Sequence, residues 1–97
     1  MAAKQILRDR KILTKEIVVE RAVYLLPEAT AERPHRIKYR LHCGGRDGVC
    51  LVRYDNETGK GDHRHYGGLE EEYTFVSLER LLQDFAADVE RLTGGEK

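Results

Sequence analysis

Apolar and polar residues alternate along much of the first half of the chain, a pattern typical of half-buried β-strands. The clearest alternation spans residues 35–43, with Ile37, Tyr39, Leu41 and Cys43 on one side and charged residues on the other. Less regular runs predict further strands at residues 4–13, 16–26, 49–55 and 70–75. The first of these contains consecutive charged residues, which favours an edge strand.

A different periodicity predicts an α-helix over residues 78–92. Leucine, phenylalanine and valine recur there at intervals that place one apolar stripe along the helix. Ser77 is a typical N-cap, and Gly94 stands where a C′ glycine would end the helix. Because a single sheet needs its apolar face covered, this helix should pack on it. We therefore predict an α+β fold in a single domain, residues 1–97: one antiparallel meander sheet of about four to five strands, covered on one face by a C-terminal amphipathic helix.

The register of the two strands that flank the turn Gly44–Gly48 can be predicted by matching side chains across it. We expect Cys43 to lie opposite Cys50, because this also sets Leu41 opposite Val52 and keeps apolar partners together. Two cysteines are too few for a disulfide framework or a structural zinc site. We therefore expect both thiols to be reduced and to pack as small apolar side chains.

Length, charge and hydropathy limit the possible functions. A chain of 97 residues is too small for a large enclosed active site, so a function would use an open sheet face, a shallow groove or a partner. Lysine plus arginine and aspartate plus glutamate both number 17, so only an uneven distribution of charge could favour nucleic acid. No apolar run approaches the ~20 residues that span a bilayer, and we expect a cytoplasmic protein without membrane contact.

Residues 54–68 concentrate titratable and hydrogen-bonding side chains. The simplest interpretation is a solvated loop with glycine turns. His63 and His65 are two residues apart, so an extended segment would point both to the same side. Such a pair suits general acid–base chemistry, because imidazole titrates near neutral pH. His-x-His also offers two metal ligands, but no spacing fixes the remaining ligands among the neighbouring acidic residues, so we predict no metal and no cofactor.

A second candidate feature is a cationic stripe on one face of the strand at residues 35–43. Its members alternate with the apolar residues and are Arg36, Lys38, Arg40 and His42. In the predicted register Arg53 lies opposite Arg40, and like charges in a cross-strand pair repel each other. The stripe therefore needs a partner, which could be acidic residues of neighbouring strands or a phosphate backbone.

Together the two features resemble the site of a small, metal-independent ribonuclease, provided that the histidines face the cationic stripe. Histidines would transfer protons, cations would stabilise the transition state and tyrosines would stack on bases. The predicted catalytic residues are His63, His65, Lys60, Arg64 and Asp62, and the predicted substrate-binding residues are Arg36, Lys38, Arg40, Arg53, Tyr54, Asp55, Asn56 and Tyr66. Two alternatives remain. Residues 54–68 could be a docking surface for another protein, or a structural loop in which Asp62 and Asn56 bond to the backbone.

The chain also resembles a known family from Glu16 onward. The residues that carry the resemblance are Ile-Lys-Tyr-Arg-Leu at 37–41, the long polar string from Tyr54 to Gly67, Tyr-Thr-Phe at 73–75 and Leu-Leu-Gln-Asp-Phe at 81–85. These look like the TumE family, proposed toxin components of prokaryotic type II toxin–antitoxin systems. The resemblance implies a partner, a cognate DNA-binding antitoxin that neutralises the toxin. The ribonuclease hypothesis, with RNA as a second partner, rests on the side chains alone.

Overall fold

The computed structural model describes residues 3–45, 47–56 and 61–94, which form one antiparallel sheet followed by one α-helix. The elements are β1 (Lys4–Ile12), β2 (Ile17–Leu25), β3 (Ile37–Gly45), β4 (Cys50–Asp55), β5 (His63–Tyr66), β6 (Leu69–Glu72) and α1 (Leu78–Thr93). The order of the strands in the sheet is their order in the chain, so the sheet is a meander. The predicted α+β class is confirmed, but the sheet has six strands instead of four to five.

The strand that the sequence did not predict is β5, which lies inside the polar segment 54–68. Its four residues include no aliphatic side chain, so hydrophobic alternation gave no signal. The strand forms because β4 and β6 pair with it on both sides and satisfy its backbone. The strand predicted at residues 70–75 is also shorter than expected and spans Leu69–Glu72.

The predicted register of β3 and β4 is wrong by two residues. Cys43 lies opposite Val52, and Cys50 lies opposite Gly44 across an irregularity in the ladder. A shift of two residues keeps every side chain on its predicted face, so matching apolar partners could not distinguish the two registers. The conformation of the turn between β3 and β4 determines which of the two registers forms. A Cβ on Gly44 would lie 2.5 Å from the backbone oxygen of Val49, so glycine permits this close approach.

The two cysteines behave as expected for small apolar residues. Both are free thiols, with Cys43 buried and Cys50 partly buried. Burial raises the pKa of both thiols, which keeps them protonated near neutral pH.

The core lies between α1 and one face of the sheet, which we call the helix face. Its buried residues are Val23, Ile37, Tyr39, Leu41, Cys43, Val52, Tyr54, Tyr73, Leu81 and Phe85. The hydroxyl of Ser77 accepts a hydrogen bond from the Arg80 N–H at 3.1 Å, and Gly94 ends the helix in a left-handed conformation with φ 80°. The predicted helix, both caps and the buried side of β3 are therefore confirmed. No helix in the described part of the chain is long and apolar enough to cross a membrane.

Candidate functional site

The face of the sheet opposite α1 carries two adjacent rows of mostly polar side chains that cross all six strands. The first row contains Arg8, Ala22, Arg40, Asp55, His63 and Glu72, and the second contains Arg10, Glu20, His42, Arg53, His65 and Glu70. We call the surface formed by these residues the open face. Both rows run from an arginine on β1 to a glutamate on β6, with a histidine on β5. The two histidines of the polar segment therefore face the same side as the cations of β3 and β4.

His65 contacts Arg53 on the neighbouring strand. A terminal guanidinium nitrogen of Arg53 lies 3.2 Å from Nε2 of His65. Because a guanidinium N–H only donates, Nε2 must accept, which places the imidazole proton on Nδ1. Nε of Arg53 lies 3.0 Å from the carboxylate of Asp55, which is 5% exposed. Asp55 thus holds the guanidinium beside His65, and the lone pair on Nε2 of His65 lies next to a positive charge.

His63 makes contacts that suit a proton donor. Its Nδ1 lies 3.1 Å from the carbonyl oxygen of Gly61, which only accepts, so this nitrogen carries a proton. Its Nε2 lies 3.6 Å from the carboxylate of Glu70, and Nε2 of His65 lies 3.9 Å from the same carboxylate. A second proton on Nε2 of His63 would therefore have an acceptor nearby. The two histidines are only two residues apart on β5, but their ring nitrogens have different hydrogen-bond partners.

His42 is a third imidazole on the open face. Burial lowers its pKa, and the positive charges of Arg40 and Arg53 lower it further, against the opposing effect of Glu20. His42 is therefore neutral at pH 7. In the sequence it is a member of the predicted cationic stripe, without a role of its own. Its position opposite Arg53 could be found only with the correct register.

Two predicted phosphate contacts, Lys38 and Arg40, are exposed on the outer side of β3. Neither side chain has a hydrogen-bond or ion-pair partner among the residues that the structure describes. Arg40 lies opposite Asp55, and Arg53 lies opposite His42, so the predicted repulsive pair of arginines is wrong. Arg40 thus faces an acidic residue across the strands instead of a second arginine, so no repulsion at this position requires a phosphate partner.

Arg36 is not part of the cationic stripe. It precedes β3 in a left-handed conformation with φ 66°, and its Nε donates a hydrogen bond to the carbonyl oxygen of Leu26 at 3.0 Å. The N–H of Leu26 donates to the carbonyl oxygen of Arg36 at 2.7 Å. Arg36 thus closes the connection between β2 and β3.

Two arginines of the open face, Arg8 and Arg10 on β1, were not among the predicted site residues. Arg8 donates to the hydroxyl of Tyr24 at 3.0 Å, and Arg10 forms an ion pair with Glu20 at 3.2 Å. Their spacing of two residues could have placed both on one face, because alternate residues of a strand point the same way. The choice of face depended on the pairing with β2.

Arg64 lies on the helix face, on the other side of the sheet from the histidines. Its guanidinium forms an ion pair with Glu71 and donates to the hydroxyl of Tyr54 at 3.2 Å. It also lies 5.4 Å from the ring centroid of Tyr66 and 5.9 Å from that of Tyr73. The structure therefore does not bring Arg64 together with His63, although both were predicted to act in one site.

Tyr54 and Tyr66 bond to the helix instead of projecting from the open face. Both hydroxyls donate to Oδ2 of Asp88, and Arg91 donates to its other oxygen at 3.0 Å. Burial by itself raises the pKa of Asp88, but the three hydrogen bonds outweigh it, so the pKa lies below its usual range. Tyr54 is fully buried and cannot stack on a base.

Asn56 and Asp62 make structural contacts. Asn56 is 1% exposed; its amide donates to the carbonyl oxygen of Ile37 at 2.7 Å and accepts from the N–H of Tyr39 at 3.1 Å. Oδ2 of Asp62 lies 3.2 Å from Nε2 of His35. Burial and the charge of Asp62 raise the pKa of Tyr39, a core residue of the helix face. Asn56 thus bonds to the backbone, as the structural alternative predicts, whereas Asp62 contacts the side chain of His35.

Lys60, predicted to be catalytic, lies outside the described residues. Within residues 3–45, 47–56 and 61–94, no three histidine, cysteine, aspartate or glutamate side chains converge on a point that could hold a metal ion. The arrangement on the open face can therefore offer proton transfer and positive charge from its own side chains.

A family model described as Toxin TumE matches residues 2–93 of the chain. The match spans every strand of the sheet and the helix. No curated protein and no solved structure matches the chain.

Proposed function

Because the chain belongs to the TumE toxin family, we propose that it is a toxin that cleaves RNA on the open face of its sheet without a metal. The family membership also suggests an antitoxin partner. We propose that this antitoxin is a DNA-binding protein and that the toxin acts in the cytoplasm, where RNA is available.

The observation that carries the proposal is the different environment of the two histidines on β5. His65 presents an Nε2 lone pair 3.2 Å from Arg53, with the carboxylates of Asp55 and Glu70 farther away at 3.9 Å. His63 keeps a proton on Nδ1, and its Nε2 lies 3.6 Å from Glu70. Cleavage of RNA through its own 2′-OH needs one base, one acid and positive charge at the phosphate. These groups lie side by side on β4 and β5, and both imidazoles are partly exposed.

In the proposed reaction a phosphate of the RNA binds Arg53, whose guanidinium moves away from His65 and frees Nε2. His65 then accepts the proton of the ribose 2′-OH, and the 2′ oxygen attacks the phosphorus. The bond from phosphorus to the 5′ oxygen of the next nucleotide breaks, and His63 donates a proton to that oxygen. The products are a 2′,3′-cyclic phosphate and a 5′-hydroxyl, and solvent restores the protonation of both histidines.

The alternative is that residues 54–68 form a docking surface for another protein. This is less well supported, because Tyr54, Asp55 and Asn56 are buried and leave no continuous exposed surface at the start of the segment. The two functions differ in salt dependence. Phosphate contacts release counterions and give a steep negative slope of log affinity against log salt, whereas protein docking need not.

The proposal is tested with purified protein and labelled RNA in a buffer that contains EDTA. We expect cleavage to a 2′,3′-cyclic phosphate. His63→Ala and His65→Ala should each slow it by about 10²–10⁴-fold, the usual contribution of general acid–base catalysis. The matched control is Glu79→Ala, an exposed position in the first turn of α1, which should cleave at the native rate. Circular dichroism establishes that each variant is folded.

The same variants are then expressed in growing cells without the antitoxin. The native protein and Glu79→Ala should arrest growth, and the histidine variants should not. Growth arrest by a folded His63→Ala, His65→Ala double variant would contradict the catalytic assignment. Cleavage that is lost in EDTA and restored by magnesium would contradict the metal-independent mechanism.

A further inference from the structure

The two rows of the open face are positively charged at their β1 end and negatively charged at their β6 end. In the half formed by β1 to β3 the rows carry the cations Arg8, Arg10 and Arg40 against one row acid, Glu20. Lys38 lies beside the rows on the same side of β3, opposite Tyr24. On β6 the same rows end in Glu70 and Glu72, and the strand is exposed along its length. His63, His65 and Arg53 lie between the two halves. The proposed chemistry therefore lies at the boundary between a cationic and an acidic surface.

The cationic half is also concave. A groove of about 520 Å³ is lined by four arginines, two acids and other residues: Arg8, Arg10, Arg21 and Arg40, Asp9 and Glu20, and Ala22, Tyr24 and His42. A smaller groove of about 120 Å³ beside it is lined by residues that include Lys38, Arg40 and Asp55. Arg40 and Tyr24 line both grooves, so the concave surface continues from the β1 edge to β4.

We infer that single-stranded RNA occupies only this cationic half, with the scissile phosphate at Arg53 and the rest of the bound chain extending across β3 and β2 toward β1. The inference rests on the proposed function, since it assigns the path of the same substrate. Three strand spacings separate β4 from β1, which is about 14 Å at ~4.8 Å per spacing, enough for a short run of nucleotides. On β6 the two rows carry no cation, so a phosphate beyond β5 would find no positive partner there and the bound chain ends at β5.

The contacts of the cations allow them to bind phosphates. The side chains of Lys38 and Arg40 have no hydrogen-bond or ion-pair partner within the described part of the chain. Arg10 is 60% exposed and its ion pair with Glu20 is a surface pair of small value, so the guanidinium can turn to a phosphate at little cost. Tyr24 offers a ring on the same face on which a base can stack.

The test uses the native chain and a fluorescein-labelled 2′-O-methyl oligouridine, which cannot be cleaved because its 2′-OH is blocked. Fluorescence anisotropy gives the affinity at several salt concentrations. Arg8→Gln and Arg40→Gln should each weaken binding and reduce the slope of log affinity against log salt by about 0.7, the value for one phosphate contact on a single strand. Both positions are exposed, so the fold should be unaffected.

The matched variant is Glu72→Gln, at the acidic end of the row that contains Arg8 and Arg40. It should leave affinity and slope unchanged, as should Lys15→Gln in the turn between β1 and β2. Tighter binding with a steeper slope in Glu72→Gln would mean that RNA crosses β6 and would overturn the inference. If neither Arg8→Gln nor Arg40→Gln changes the affinity or the slope while His63→Ala still abolishes cleavage, the proposed path of the RNA is wrong. The proposed function is then unaffected. Absence of binding by the native chain at low salt would instead remove RNA as the substrate.

Discussion

Replacement of Asp88 by alanine should destabilise the protein strongly although Asp88 lies on a surface helix. The carboxylate is 9% exposed and accepts hydrogen bonds from the hydroxyls of Tyr54 and Tyr66 and from Arg91. Tyr54 is a β4 residue and Tyr66 a β5 residue, so this carboxylate ties α1 to two strands of the sheet. Asp88→Ala removes all three hydrogen bonds at once.

The magnitude follows from how well each donor can be hydrated after the change. Tyr54 is fully buried, and leaving its hydroxyl hydrogen unpaired costs about 1–3 kcal/mol. Tyr66 is partly exposed and can turn to water, so its hydrogen bond contributes about 0.5–1.5 kcal/mol. Arg91 is 58% exposed and contributes little. The free energy of unfolding should fall by about 2–4 kcal/mol.

Urea denaturation followed by circular dichroism at pH 7 measures this change. Tyr54→Phe introduced into Asp88→Ala should recover about 1–2 kcal/mol, because no buried hydroxyl hydrogen is then left without an acceptor. Arg64 loses the Tyr54 oxygen in this variant but keeps its ion pair with Glu71. The control Glu79→Ala, exposed on the same helix, should stay within about 0.5 kcal/mol of the native protein. A loss below about 0.5 kcal/mol in Asp88→Ala, or no recovery by Tyr54→Phe, would refute the reasoning.

The same carboxylate predicts a pH dependence. The pKa of Asp88 is lowered in the folded protein, so its contribution is present above the unfolded pKa and is lost as pH falls through the folded pKa. The difference in unfolding free energy between the native protein and Asp88→Asn should therefore be constant from about pH 7 to pH 5 and shrink below about pH 4. A difference that grows on acidification would contradict the lowered pKa.

Three further predictions concern stability. Asn56→Ala should lower the free energy of unfolding by about 2–4 kcal/mol, because two backbone groups of β3 lose their buried partners; thermal melting checks this. Gly44→Ala should cost about 1–3 kcal/mol, since its Cβ would lie 2.5 Å from a carbonyl oxygen, whereas Gly68→Ala, with no atom within 4 Å, should be nearly neutral in the same urea titration. Burial raises the pKa of Tyr54 and Tyr73, so unfolding free energy should fall as pH rises above about 10; a flat profile would contradict the shifts.

The local pattern of the chain predicted most elements of the fold. Strand alternation and helix periodicity depend on neighbours in sequence, and the buried side of β3, the length of α1 and the caps at Ser77 and Gly94 followed from them. The strand β5 was missed because pairing with β4 and β6, not side-chain hydrophobicity, holds it in place. The family resemblance, carried by residues 37–41, 54–67, 73–75 and 81–85, was confirmed by the family match.

In the candidate site, too, some features follow from local sequence and others depend on how the strands pair. The spacing of His63 and His65 by itself determined that both point to one side of an extended segment. Only the tertiary structure decided that Arg53 lies beside His65 and that Arg64 is on the other face with the helix. Cross-strand neighbours depend on register, and a shift of two residues at the Gly44 turn leaves the hydrophobic pattern unchanged while it exchanges every partner across the strands.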